Sequence, residues 1–98
     1  MTASHVVADI YMYDSSSGGR KGPTTTGYWG CLFDFEGQLY DCRVLLDETG
    51  PLAPGQTART PIVFLKPESL RGRLQTGARF QLRELATVAE GTVVNASL

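Results

Sequence analysis

Eleven glycines and five prolines cut this 98-residue chain into short runs, and none of the runs carries the 3.6-residue apolar period of a three-turn helix. What remains between the breaks is extended in character. "HVVADIYMYD" interleaves Val6, Ala8, Ile10 and Met12 with Val7, Asp9, Tyr11 and Tyr13, and its β-branched and aromatic content favours a strand. "CLFDFEGQLYDCRVLL" places two apolar runs around Glu36-Gly37, a pair suited to a two-residue hairpin turn with positive φ. That turn sets the register: Phe35 faces Gln38, and Cys31 falls opposite Cys42 as two buried thiols.

The second half continues the pattern. "TARTPIVFL" reads as a strand in which Pro61, lacking a donor, belongs at a strand start, an edge or a bulge. "KPESLRGRLQTG" allows one helical turn around Glu68–Leu70 before Gly72 and Gly77 end it. Phe80, Leu82 and Glu84 then alternate with Arg79, Gln81 and Arg83, and a further extended run covers Ala86–Val94. Six short strands predict an all-β sandwich or barrel; a closed barrel is the better expectation because closure removes exposed edges. Val6, Ala8, Ile10, Leu32, Phe64, Phe80, Leu82 and Val93 are the expected interior. Residues 1–98 make one domain, with frayed tails at about 1–5 and 95–98.

Size and charge narrow the chemistry. A domain of this length buries roughly 60 to 65% of its unfolded surface, which favours a shallow site over a deep one. The formal charge of −1 excludes the strong global excess of Lys and Arg typical of a nucleic-acid coat protein, although local basic patches remain open. No apolar run reaches membrane-spanning length and the start has no secretory pattern, so the expected compartment is the cytoplasm. Two cysteines are too few for a disulfide scaffold, and His5 with Cys31 and Cys42 has no zinc-ligand spacing, so neither metal nor cofactor is expected.

"DSSSGGRKGPTTTGYWG", residues 14 to 30, is longer than an ordinary connection, and loops of that length tend to be functional or mobile. Its "SGGRKG" core can form a nest of backbone N–H groups, with Arg20 and Lys21 at the rim, suited to a phosphate or carboxylate. Tyr28, Trp29 and Tyr13 offer stacking surfaces or barrel core. On the next-to-last strand Arg79, Gln81 and Arg83 share one face, either a cationic stripe or an ordinary wet surface. Asp47-Glu48 reads as solvated turn.

The order of these motifs resembles the third, C-terminal β-barrel domain of translation elongation factor Tu. In that family a strand leads into Gly-Gly-Arg-His-Thr-Pro, matched here by Gly18, Gly19, Arg20, Lys21, Gly22 and Pro23, and then into Gly-Tyr-Arg-Pro-Gln, matched by Gly27, Tyr28, Trp29, Gly30 and Cys31. The family's Pro-Gly-Asp turn is similar to Pro54-Gly55-Gln56, its His-Pro step to Lys66-Pro67, and its Gly-Leu-Arg-Phe-Ala-Ile-Arg-Glu segment to residues 77–84. Residues 6 to 94 are covered. The resemblance implies a six-stranded antiparallel closed barrel that contacts the T-stem backbone of tRNA, a GTPase domain and an exchange factor, partly through the Gly-Gly-Arg loop. Two departures, Trp29-Gly30-Cys31 and Leu85-Ala86-Thr87, remove polar positions of the tRNA surface.

The function expected from this resemblance is a non-enzymatic binding module in a translation-related setting. It would recognise a protein or a tRNA-like RNA backbone through Gly18, Gly19, Arg20, Lys21, Tyr28, Trp29, Arg79 and Arg83. A chain without a Gly-x-x-x-x-Gly-Lys-Ser/Thr phosphate loop is not expected to bind GTP or to be an enzyme, and no membrane partner is expected. The alternative is a small regulatory or defence-related protein that mimics the barrel to occupy a partner of the elongation factor.

Overall fold

The computed structural model describes residues 4–98. Its strands are β1 (Val6–Met12), β2 (Tyr28–Phe35), β3 (Gln38–Leu45), β4 (Thr57–Phe64), β5 (Arg79–Arg83) and β6 (Thr87–Ala96). All pairings are antiparallel, and the sheet closes in the order β1-β4-β3-β2-β5-β6. The only helical pieces among the described residues are two single 3₁₀ turns, Ser15–Ser17 and Pro67–Ser69.

Register follows from the β2–β3 turn. Glu36 and Gly37 both take positive φ, 51° and 79°, the twist that matches two right-twisted strands. Phe35 then faces Gln38 and Cys31 faces Cys42. The two sulfurs lie 3.6 Å apart as free thiols. With Trp29, Phe33 and Phe35 pointing inward, Leu32 belongs to the opposite face and is only half-buried. This corrects its expected place inside: of two adjacent apolar residues only one can face the core, and the turn selects Phe33. That ring is fully buried, stacked on Phe80 at 4.3 Å between centroids and edge-on to Phe64 at 4.9 Å. The other seven expected interior residues are buried.

Pro61 lies one residue before the β3–β4 ladder begins at Ile62, where β4 has only β1 beside it and the missing donor costs no ladder bond. The tails are fastened further than expected. His5 N–H donates to the Ile62 carbonyl (3.0 Å), its Nδ1 accepts from Phe64 N–H (2.9 Å), and Ser97 N–H donates to the His5 carbonyl (2.7 Å). Pairing of Val6 with Ala96 draws both ends into the sheet; residues 1–3 of the tail expected at about 1–5 lie outside the described residues.

One end of the barrel is closed by the segment after β1 together with the segment after β3. Thr24 is buried there, its N–H donating to the Leu52 carbonyl and its hydroxyl accepting from Leu52 N–H, each at 2.9 Å. Leu46 and Leu52 are fully buried beneath it. Leu70 and Leu74, carried by the 3₁₀ turn after β4 and the residues that follow, are buried in the same core.

Candidate functional site

The loop between β1 and β2 is built around its own anion. Asp14 caps the turn Ser15–Ser17: its carboxylate accepts from the Ser16 hydroxyl (2.7 Å) and from Ser17 N–H (2.8 Å), and its carbonyl from Gly19 N–H (2.9 Å). The Ser16 hydroxyl first, then the Ser17 contacts, hold the Asp14 carboxyl below the usual range. Two N–H groups of the stretch that the sequence offers to a phosphate, those of Ser17 and Gly19, are therefore already taken by Asp14. Gly18, at φ 87°, ends the turn, and Gly19 is required because a side chain there would overlap the carbonyl of Tyr13.

Arg20 is spent in the same way. Its guanidinium forms an ion pair with Glu84 and donates to the carbonyls of Gly22 (3.2 Å) and Pro23 (3.1 Å). Glu84 also accepts from Trp29 Nε1 (3.0 Å). Sequence alternation sets Glu84 with Phe80 and Leu82, but the residue falls just past the end of β5 and is half-buried at the rim of the barrel. Its carboxylate takes its hydrogen bonds there from Trp29 and Arg20. Trp29 is 2% exposed. Its expected role as contact area is overturned: it belongs to the core, with only its N–H used at the rim. Of the loop cations Lys21 alone is exposed.

Arg79 and Arg83 do share the outer face of β5, yet they open onto different concavities. Arg79 lines one with Asp34, Glu36 and Glu90, three carboxylates that oppose a phosphate. Arg83 lines the other, a shallow hollow of about 530 Å³ over β3, β2 and the end of β5. Its floor is Gly30 and Leu32, its walls include Leu65 and Leu85, and Arg43 stands across from Arg83. Arg43 rests over the Tyr28 ring, 4.9 Å from its centroid. Tyr28 is 49% exposed, Leu65 54% and Leu85 98%. Beneath them the Cys31 thiol is pushed up in pKa, first by its hydrogen bond to Cys42 and then by burial, so it stays protonated and inert.

The site residues thus divide. Arg83 belongs to the open hollow; Tyr28 lines the neighbouring concavity with Arg20 and Thr25, and reaches the hollow only through its contact with Arg43; Gly18, Gly19, Arg20 and Trp29 build the closed loop; Lys21 and Arg79 stand apart. Sequence reading missed Gly30, Leu65, Leu85 and Arg43. The one available signal was Gly30, a glycine in mid-strand with no turn to make.

Among the described residues no group of three or more His, Cys, Asp or Glu is placed to hold a metal ion, and no helix is long and apolar enough to cross a membrane. No protein-family model matches the chain, and no curated protein is significantly similar to it.

Proposed function

We propose that the protein is a non-enzymatic binding module whose outer β3–β2–β5 face receives a protein partner. One observation carries this reading. Of the five large apolar side chains most exposed among the described residues, Leu65 and Leu85 line the hollow itself, and Tyr28 on β2 and Leu39 on β3 stand on the same outer face to either side of it. Such clustering marks an interaction surface more often than a wet sheet face. An RNA backbone is the weaker ligand, because Arg20 is already neutralised by Glu84 and Arg79 sits among carboxylates. The translation-related setting rests on the resemblance to the elongation factor Tu barrel, and a partner from that machinery is its proposed consequence.

Cross-linking in extract of the native host, with and without ribonuclease, tests the choice. A partner retained after ribonuclease, and lost on Leu65→Glu or Leu85→Glu but kept on Lys21→Ala, is the expected result. Direct binding of tRNA that weakens with salt and with Lys21→Ala, while both leucine variants bind normally, replaces this reading with the RNA one.

A further inference from the structure

Resting on that reading, we propose that the partner docks through an extended acidic-apolar segment that forms a β-bridge with Gly30, lays one apolar side chain in the hollow and sets its carboxylates against Arg43 and Arg83. The first argument is the sheet edge. The β2–β5 ladder ends at Leu32 opposite Arg83, and the next pair in register, Gly30 with Leu85, is never made because the chain turns at Glu84, whose N–H donates to the Ala86 carbonyl (3.0 Å). Backbone groups alternate sides along a strand, so the N–H and C=O of Gly30 face this gap, with no strand opposite them among the described residues. One position further, Tyr28 is already closed by the loop: its N–H donates to the Thr26 carbonyl (2.9 Å) and its carbonyl accepts from the Thr25 hydroxyl (2.6 Å). The open edge is one residue wide, room for a two-hydrogen-bond bridge and not for a long added strand.

A second, independent argument is the glycine itself. A Cβ built on Gly30 meets nothing within 4 Å, and its φ is not positive, so neither packing nor backbone geometry requires glycine there. Glycine in a strand interior is unfavourable for the fold, and it marks the place where another backbone comes close. Gly30 is also reached from both sides: it lines the apolar hollow and a second concavity that includes Arg20, Thr25 and Glu84.

Charge then selects the segment. The ion pairs among the described residues use Arg20, Arg59 and Arg73, leaving Arg43 and Arg83 without carboxylate partners. Glu84, which also lines the hollow, is held by Arg20 and Trp29. The other carboxylate of the hollow, Asp41, sits opposite Leu32 on the same face as Arg43, which leaves two arginines to one free acid among the described residues. An apolar side chain flanked by Asp or Glu therefore fits, and a basic segment does not.

The test uses fluorescein-labelled octapeptides with a central leucine in a threonine background, flanked by glutamates in one version and lysines in the other. Polarisation at low salt is expected to give the glutamate peptide about tenfold the affinity of the lysine peptide. Methylating the amide nitrogen of its central leucine is expected to cost about fivefold. Gly30→Val, which the open space lets the fold accept, should abolish binding with an unfolding midpoint no lower than that of wild type, and Arg83→Gln should lower the affinity with less salt dependence. Equal binding of the two peptides, no binding of either, or wild-type binding by Gly30→Val overturns the inference. If the leucine variants still lose the extract partner, the reading of the face stands and only the bridge falls; if extract capture ignores the face, both fall.

Discussion

Gly19 and Gly30 sit in the same polar stretch, eleven residues apart, and their surroundings are opposite. A side chain at Gly19 would overlap the backbone of Tyr13, while one at Gly30 would enter open space. Around Gly19 the polar groups are turned on each other: Asp14 on Ser16 and Ser17, Arg20 on Glu84 and the loop carbonyls. Around Gly30 the arginines have no carboxylate partners among the described residues and the leucines face solvent. A loop rich in charge and glycine is thus a closure device, and the strand that follows it borders the open hollow proposed as the docking surface. Polarity alone does not distinguish binding groups from groups that bind each other.

Replacing each glycine breaks or sharpens this contrast most strongly. Gly19→Ala is expected to lose about 3 kcal/mol in urea unfolding, because the obstacle is a backbone carbonyl and the loop must shift to admit a methyl. Gly30→Ala is expected to gain about 0.5 kcal/mol by restricting the unfolded chain. Equal effects at the two sites would erase the distinction between a packed and an open glycine.

The arginines give the next largest difference. Arg20→Met keeps the aliphatic stem but strips Glu84 of its ion pair and leaves the carbonyls of Gly22 and Pro23 to solvent. With side chains 24% and 32% exposed, the pair is partly shielded, and a loss of about 1.5 kcal/mol is expected. Arg83→Met should stay within about 0.5 kcal/mol of wild type. Loss of stability at Arg83 comparable with that at Arg20 would move Arg83 from the proposed docking face into the structural set.

How much of this was legible in the sequence depends on the distance over which each feature is decided. The hairpin was legible because Glu36-Gly37 and the flanking alternation are local, and the cysteine pair followed from them without any further information. Closure into a barrel was legible from six short runs with no helix. Leu32 was misplaced because Leu32 and Phe33 are both apolar and only the register, counted from the turn, decides which faces inward. Trp29 and Arg20 read as recognition residues because their shared partner, Glu84, lies 64 residues from Arg20 and 55 from Trp29. The hollow was invisible for a similar reason: Gly30, Leu65 and Leu85 come from three separate segments that meet only after the barrel closes.

The smallest expected effect probes how the closed loop holds itself. In the folded state the Asp14 carboxyl lies below its ordinary range, stabilised by the Ser16 hydroxyl and then by Ser17. A carboxyl depressed by folding contributes stability above its unfolded pKa, about 3.9, and that contribution disappears as pH falls through the lower folded value. Asp9, held down by the hydrogen bond from Arg59 on the far side of the barrel, acts in the same direction, so wild-type stability should fall below about pH 4 from at least two sites. Asp14→Asn keeps an acceptor oxygen for the Ser17 N–H but cannot titrate. Its urea midpoint should lie slightly below that of wild type near neutral pH and converge with it under acid, while Gly30→Ala should run parallel to wild type throughout. An Asp14→Asn curve parallel to wild type would mean that the carboxylate charge adds nothing to the cap, and that the loop is held by Arg20, Thr24 and the steric demand at Gly19 alone.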